Sequence, residues 1–334
     1  MNNEIWVCGE ALIDLIPKDG QKIAIVGGGP ANTAKALARL GFDSYFIDGI
    51  SSDAFGQMIK AELLNDGVNL KYAHFSDKQT CTADVTLDKA GVASYIFTID
   101  GTATFDFRDD WLPDPYKESP AALQIGTLAT IVEPGSSILL EWAKKVSEVC
   151  PVVFDPNVRS SVLPDRKKYL EQIDKWNSIS TVIKVSEDDL AWLYPEQDQI
   201  AIAEKWLADG AQLVVITKGS YGIIGVTNSG VVSVPGVKVD VVDTVGAGDT
   251  VGAIVVEAIG DGAQAVRGIQ VAVHLGRPSA APQAFAAVLE LDAAQVVQIR
   301  DEDIASLVAV MQQEVDPGPG FQIIGLLHVL DFFE

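Results

Sequence analysis

Short apolar runs alternate with amphipathic stretches along the chain. The apolar runs have the length of buried strands, and the stretches between them place apolar residues at helical spacing. This alternation is typical of successive βα units that build a mostly parallel sheet. The predicted strands are Ile5–Cys8, Ser44–Ile50, Leu123–Leu128, Val152–Phe154, Val182–Val185 and Leu213–Ile216. The predicted helices are Pro30–Leu40, Ala54–Asn65, Ser136–Glu148, Asp165–Trp176, Glu187–Leu193 and Ile200–Ala208.

Two segments interrupt the alternation. Thr82–Leu87 and Ala93–Ile99 flank a turn sequence, which predicts a β-hairpin, and residues 12–26 have an extended pattern. An antiparallel patch drawn from residues 12–26 and 79–105 would form a lid on the α/β domain. The last part of the chain, residues 260–334, has no comparable pattern and contains no lysine.

Composition narrows the classes of function. Lys and Arg total 24 residues against 46 Asp and Glu, so the formal net charge is −22. Because such a surface repels phosphate backbones and anionic lipids, nucleic acid and membranes are not expected partners. The three cysteines are far apart, which excludes a disulfide framework or a zinc site, and the N-terminal segment lacks the basic region of a signal peptide. A cytoplasmic location is the resulting expectation.

The most informative stretch is the sequence DTVGAGD at 243–249, which opens the apolar run Thr250–Ile259. Small residues just before a helix let backbone N–H groups converge on an anion, and the helix dipole adds to the attraction. Asp249, expected at the first helical position, would stand beside that anion, where a carboxylate suits a general base acting on a substrate hydroxyl. The alternative is an ordinary glycine turn with an aspartate N-cap.

A second glycine cluster, Gly27–Gly29, precedes Asn32 and would let a ligand approach the backbone closely. Its pattern is not a dinucleotide fingerprint, and the chain has no Walker A motif, so neither an ordinary dehydrogenase nor a P-loop kinase is indicated. A loop with a helix N-cap is the alternative. Asp155–Arg159 and Thr217–Gly222 each follow a predicted strand, at the edge where open α/β sheets bind ligands, and Asp14 leaves the first strand there too.

Together these segments resemble the ribokinase-like (PfkB) carbohydrate kinases, and the fructokinase branch most closely. Seven motifs follow the order of that family over residues 4–259: GEALIDLIP, GGGPANTAKALARLG, GISSDAFG, FDPNVR, KVSEDDL, ITKGSYG and DTVGAGD. The resemblance implies an α/β fold with a central, mostly parallel sheet sandwiched by helices and a small β-sheet lid, in a single domain over residues 1–334. It also suggests a homodimer formed through the lid.

The resemblance implies an enzyme that transfers the γ-phosphate of ATP to a hydroxymethyl group of a sugar, with Mg²⁺ and in some relatives K⁺. Fructose, giving fructose 6-phosphate, is the preferred substrate. Alternatives within the fold are 2-keto-3-deoxygluconate, ribose and nucleosides. A non-catalytic sugar- or nucleotide-binding relative is an alternative of another class, but Asp249 argues against it because a pure binder gains nothing from a carboxylate beside a phosphate.

Roles for individual residues follow from the resemblance as well. Catalysis falls to the base Asp249 and to an anion hole at Gly246, Ala247 and Gly248. Sugar contacts fall to Asp14, Gly28, Gly29, Asn32 and Arg159. Nucleotide contacts fall to Lys184, Glu187, Thr217, Gly219 and Gly222. Glu187 would help to place Mg²⁺ through water, whereas Lys184 replaces a family asparagine and cannot ligate a metal. Asp243 and Thr244 match a monovalent-cation site.

Overall fold

A computed structural model describes residues 3–18, 20–87, 93–236 and 246–260. The strands are β1 Ile5–Cys8, β2 Leu12–Lys18, β3 Gln21–Gly27, β4 Ser44–Ile47, β5 Gly49–Ser51, β6 His74–Ser76, β7 Thr82–Leu87, β8 Ala93–Thr98, β9 Ala122–Gly126, β10 Val152–Asp155, β11 Val182–Ser186, β12 Leu213–Thr217, β13 Gly222–Thr227 and β14 Gly230–Pro235. The helices are α1 Gly29–Arg39, α2 Ala54–Asn65, α3 Pro115–Glu118, α4 Gly135–Ser147, α5 Arg166–Asn177, α6 Glu187–Leu193, α7 Gln199–Ala208 and α8 Ala247–Gly260.

The central sheet has eight strands in the order β14-β13-β12-β11-β10-β9-β1-β4. The strands β12, β11, β10, β9, β1 and β4 run parallel to one another. Strand β13 pairs antiparallel with β12, and β14 pairs antiparallel with β13. Strand residues alternate between two hydrophobic cores, one on each face of the sheet. One core packs against α4 to α7 and the other against α1, α2 and α8. The predicted sandwich of helices around a mostly parallel sheet is therefore confirmed.

The predicted elements of this sheet and its helices form within two residues of their expected bounds, with one exception. The predicted strand Ser44–Ile50 is divided: β4 joins the central sheet, whereas β5 pairs with β6 in a separate two-stranded sheet. The hairpin of β13 and β14 was not predicted, although the turn between them, Thr227–Gly230, carries Asn, Ser and Gly. This hairpin extends the sheet beyond β12.

The small sheet has the strand order β3-β2-β7-β8. The hairpins β2–β3 and β7–β8 are antiparallel, but β2 and β7 pair in parallel, so the prediction of an antiparallel patch is wrong for this central pairing. Both strands start in the hydrophobic core, near Leu12 and Cys81, and run outward to exposed ends, which gives them a common direction.

Three further sequence expectations concern the whole chain. Cys8, Cys81 and Cys150 are free and buried, so the chain has no disulfide among them. No helix in the described ranges has the length and apolar character needed to span a bilayer. The atypical segment that follows Gly260 lies outside the described residues.

Candidate active site

The candidate site lies where the carboxyl ends of β9 and β10 meet the first turns of α1 and α8. A Cβ added to Gly29, the first residue of α1, would lie 3.0 Å from Asn157 Nδ2 and 3.1 Å from Thr127 Oγ1. The same point is 3.2 Å from Asp249 Oδ1. Polar groups from three distant parts of the chain thus converge beside one glycine.

The start of α1 requires glycine for two physical reasons. Gly28, the N-cap residue, has φ +107°, which side-chain-bearing residues rarely adopt. A Cβ there would also lie 2.4 Å from the backbone oxygen of Glu10. Pro30 follows in the first turn, where its missing N–H leaves no acceptor unsatisfied. This turn places Asn32 opposite α8.

Asp249 is the third residue of α8, not the first as predicted, because the helix begins at Ala247. Its Oδ2 accepts a hydrogen bond of 3.0 Å from Asn32 Nδ2, and its backbone oxygen accepts one of 3.3 Å from Thr33 Oγ1. The side chain is half-buried. Burial raises the pKa of Asp249, while the charge of Lys184 and the Asn32 hydrogen bond act in the opposite direction.

The first turn of α8 contains the residues that were predicted to form an anion hole. Gly246 has φ +78° immediately before the helix, and its carbonyl accepts the Thr250 N–H at 2.9 Å. The preceding N–H groups at the start of a helix have no intrahelical acceptor and bear the positive end of the dipole. Those of Ala247, Gly248 and Asp249 are therefore suited to an oxyanion.

Thr127 and Asn157 line the same space, and neither was a predicted site residue. Both have left-handed backbone, with φ of 56° and 37°, and such non-glycine strain concentrates at functional sites. Asn157 Nδ2 donates to Thr127 Oγ1 at 3.3 Å. Glu10 supports the turn after Thr127, since its Oε2 accepts the Ala129 N–H at 3.3 Å; burial raises the pKa of Glu10 to about 8.

Arg159 holds the Asn157 side chain through hydrogen bonds. Its Nη1 donates to Asn157 Oδ1 at 2.8 Å and to the Asn157 backbone oxygen at 3.2 Å. The side-chain oxygen of Asn157 therefore accepts a hydrogen bond from Arg159, and the Nδ2 of Asn157 faces Gly29. The backbone of this loop is itself held by Asp189 Oδ1, which accepts the Val158 N–H at 2.9 Å, and by the Tyr169 hydroxyl, which accepts the Arg159 N–H at 3.1 Å.

The role of Asp189 differs from what its sequence context indicates. An acidic run such as Glu187–Asp189 is typical of a solvated first helical turn favoured by the dipole. Asp189 is instead buried, forms a capping box with Ser186 and reaches across to the loop after β10. A solvated carboxylate and a buried one look alike in sequence at this position, because the difference depends on the neighbouring loop.

The predicted nucleotide segments lie further along the same edge of the sheet. Thr217 ends β12, the neighbour of β11, and Glu187 begins the helix that follows β11. Lys218 follows Thr217 in the chain and connects it to Glu187, since Lys218 Nζ lies 3.8 Å from Glu187 Oε2. Gly219 has φ +52° and faces open space, whereas Gly222 has φ +103° and packs against the backbone of β14. Gly222 is thus required for packing.

Asp14 lies on β2 of the small sheet, paired with Ile25 of β3. Its carboxylate packs so closely on Gly27 that a Cβ there would lie 2.2 Å from Asp14 Oδ2. Burial raises the pKa of Asp14, and the charge of Arg159 acts against the shift. Asp243 and Thr244, the predicted cation residues, lie outside the described residues.

The chain is similar to known proteins over most of its length. The family model described as pfkB family carbohydrate kinase matches residues 2–280. The chain belongs to this family. The kinase is 36% identical over 251 residues to a fructokinase from Rhizobium leguminosarum bv. trifolii, an alignment that covers 74% of this chain and 76% of the relative. The resemblance inferred from the seven motifs is confirmed.

Solved structures agree with the observed architecture. The fructokinase from Vibrio cholerae O395, in a form with bound fructose, ADP and calcium ion, superposes on the kinase with a TM-score of 0.71 at 25% identity. That alignment covers 82% of the kinase and 94% of the other chain. Aminoimidazole riboside kinase from Salmonella enterica has a TM-score of 0.69 at 24% identity, and the alignment covers 78% of this chain and 85% of that chain. This likeness shows the shared fold. The predicted fold class is confirmed.

The arrangement of the carboxylates determines how a divalent metal can bind. Among the described residues, no group of three or more His, Cys, Asp or Glu side chains is arranged to hold a metal ion. Mg²⁺ keeps several waters and is commonly bound through one or two carboxylates together with substrate phosphates. Glu187, about one-third exposed at the start of α6, fits a ligand of that kind.

Proposed function

We propose that the kinase transfers the γ-phosphate of ATP to the 6-hydroxyl of fructose. The observation that supports this most strongly is the position of Asp249, whose carboxylate is held by Asn32 at 3.0 Å beside the open N-terminal turn of α8. A base and an oxyanion site in this arrangement suit phosphoryl transfer to an alcohol. The similar proteins named fructokinase support fructose as that alcohol.

In the proposed reaction Asp249 accepts the proton of the sugar hydroxyl as its oxygen attacks the γ-phosphorus. The new bond joins the sugar oxygen to phosphorus, and the bond to the β-phosphate oxygen of ATP breaks, which releases ADP. The first-turn N–H groups of Ala247, Gly248 and Asp249, together with the N–H of Gly246 just before the helix, bind the charge on the transferred group. Bound Mg²⁺, held by phosphate oxygens with Glu187 through water, would neutralise phosphate charge.

The sugar would lie between the small sheet and the start of α1. We assign its hydroxyl contacts to Asp14, Asn32 and Arg159, with Gly28 and Gly29 allowing close backbone approach. Thr127 and Asn157 are added to this set because their polar atoms face the same point as Asp249 Oδ1. The nucleotide would lie along the neighbouring edge, at Lys184, Glu187, Thr217, Gly219 and Gly222.

Several expectations from the sequence complete the proposal. Residues 1–334 would form one kinase domain with a monovalent-cation site at Asp243 and Thr244. The exposed apolar residues Ile25 and Ile96 of the small sheet are compatible with a homodimer through the lid. The three buried free thiols are compatible with a reducing, cytoplasmic location. The excess of acidic residues argues against partners among nucleic acids and membranes.

Asp14 provides a test of the sugar end of the site. Replacing Asp14 by alanine should raise the KM for fructose by about tenfold or more, because a charge-assisted hydrogen bond to a hydroxyl is lost. The KM for ATP should stay within about twofold, since the change removes only sugar binding. Steady-state kinetics with each substrate varied in turn measure both values. A larger rise in the KM for ATP would show that the two pockets are exchanged.

The pH dependence of kcat tests the ionisation of Asp249. Because burial raises its pKa, the fall of kcat with decreasing pH should be centred at a higher pH than about 3.9, the ordinary pKa of aspartate. The hydrogen bond from Asn32 favours the charged form, so Asn32→Ala should move the acidic limb to higher pH. Profiles of kcat for the wild type and this variant measure the shift. Superimposable limbs would exclude Asp249 as the titrating base.

The choice of sugar is tested by comparing kcat/KM for fructose, 2-keto-3-deoxygluconate, ribose and a purine nucleoside. Fructose should give the highest value, and phosphorus NMR of the product should show a phosphomonoester on the 6-carbon. A higher value for another acceptor would reject fructose and keep the kinase assignment. Binding of fructose without any product would favour the non-catalytic relative.

A further inference from the structure

Lys184 occupies the middle of β11, a strand whose other residues at 182, 183 and 185 are apolar and buried. Lys184 itself is only 4% exposed. Its neighbours Ile183 and Val185 face the core against α4 to α7, so strand alternation directs Lys184 toward α8. A lysine at such a position is unfavourable unless an opposite charge and further hydrogen bonds compensate for lost hydration.

Among the described residues, the compensation for the buried ammonium is incomplete. Lys184 Nζ donates to Asp155 Oδ2 at 2.8 Å, and both side chains are buried. An ammonium has three N–H donors, and Asp155 Oδ2 is the one acceptor found for it among the described residues. The other carboxylate oxygen, Asp155 Oδ1, is also buried, and it has no hydrogen-bond partner among the described residues. The pair therefore has capacity for a further polar group.

The ammonium lies against the anion-binding turn of α8. A Cβ on Gly248 would be 3.2 Å from Lys184 Nζ, so no side chain separates the ammonium from this turn. Asp155 and Asp249 raise the pKa of Lys184, although burial acts to lower it, and the group is charged at neutral pH. A fixed positive charge and free helix N–H groups thus approach one point from two sides.

We propose that Lys184 is a catalytic residue whose ammonium donates a hydrogen bond to a non-bridging oxygen of the phosphoryl group during transfer. Asp155 is its positioning residue, which holds the ammonium beside Gly248 before and during the reaction. This inference rests on the proposed kinase reaction and extends it, since nucleotide contact alone does not place Lys184 on the transferred group. Preorganised charge of this kind acts most strongly as negative charge shifts in the transition state.

The main test replaces Lys184 by methionine, an unbranched side chain that is one atom shorter and carries no charge. Because loss of Lys184 also raises the pKa of Asp249, kcat is measured on the alkaline plateau, where Asp249 is ionised. We expect kcat to fall about 10²–10³-fold, as when an oxyanion donor is lost. Affinity for a non-hydrolysable ATP analogue should fall about tenfold, while affinity for ADP changes less than about twofold, because ADP lacks the transferred group.

A double variant keeps the test decisive if methionine alone prevents folding. Lys184→Met with Asp155→Asn leaves no unpaired buried charge, so it should fold and show the same loss of kcat. Lys35→Met is the control, because Lys35 is also mostly buried and its Nζ lies 2.7 Å from Glu62 on the neighbouring helix. The charge of Lys35 also lowers the pKa of Asp249, so this variant is compared on the same alkaline plateau, where its kcat should remain within about threefold of the wild type.

The outcomes distinguish a failure of the role of Lys184 from a failure of the proposed kinase function. A folded double variant with wild-type kcat, or equal losses of affinity for ADP and the ATP analogue, would overturn the role of Lys184. A wild-type enzyme that transfers no phosphate to any sugar would instead overturn the proposed function. A wild type that is active, with the loss of kcat confined to the Lys184 variants, supports both.

Discussion

Replacing Asp249 by asparagine should lower kcat for fructose phosphorylation by about 10²–10⁴-fold, the usual effect of losing a general base. The amide has the shape of the carboxylate and can keep the contact with Asn32 at 3.0 Å. It cannot accept the proton of the sugar hydroxyl. Affinities for fructose and ATP, measured by calorimetry, should therefore stay within about threefold of the wild type.

Asn32 provides the comparison for this variant. Asn32→Ala removes the partner of Asp249 and leaves the carboxylate in place, so part of kcat should be recovered at high pH. Asp249→Asn should show no such recovery at any pH, because no ionisable group remains at the position. A wild-type kcat in Asp249→Asn would remove this residue from the mechanism.

The second large effect is expected at Gly29. Replacing Gly29 by alanine would place a methyl group 3.0 to 3.2 Å from Asn157 Nδ2, Thr127 Oγ1 and Asp249 Oδ1. Two of these groups are held by other hydrogen bonds, Asn157 by Arg159 and Asp249 by Asn32, so they have little freedom to retreat. Because small displacements of positioned groups can slow a reaction about 100-fold, kcat/KM for fructose should fall by that order.

Gly252 is a matched control on the opposite side of the same helix contact. A Cβ there would lie 3.9 Å from Thr33 Oγ1, an ordinary van der Waals distance. Gly252→Ala should therefore keep kcat/KM and raise the free energy of unfolding by about 0.5–1 kcal/mol, because alanine favours a helix interior. Equal activity of Gly29→Ala and Gly252→Ala would show that the space beside Gly29 is not used by the substrate.

The central layers of the fold could be predicted from sequence because each element has a local cause. Apolar runs such as Leu213–Ile216 fit strands buried on both faces, and helices such as Ala54–Asn65 have an aspartate N-cap, Asp53, and a terminal Asp-Gly. Pairing between separate segments has no such local cause. The parallel contact of β2 with β7 depends on where two hairpins leave the core, and sequence patterns do not record it.

In the candidate site as well, the sequence predicts individual residues but not the contacts between distant segments. The glycine motifs located Asp249 and Asn32 without showing that they touch, since 217 residues separate them and the contact arises from packing of α1 on α8. Thr127 was missed because a threonine with φ of 56° leaves no mark in the sequence, unlike a glycine. The pairing of Lys184 with Asp155 was missed too, because it requires the register of β10 and β11.

The most direct test of the central claim measures both products of the reaction in one sample. Purified kinase is incubated with ATP, Mg²⁺ and fructose, and ADP and fructose 6-phosphate are quantified over time. The account predicts equal amounts of the two products and almost no ADP when the sugar is omitted, because phosphoryl transfer requires the hydroxyl beside Asp249. ADP formed at the same rate with and without fructose, or no fructose 6-phosphate, would contradict it.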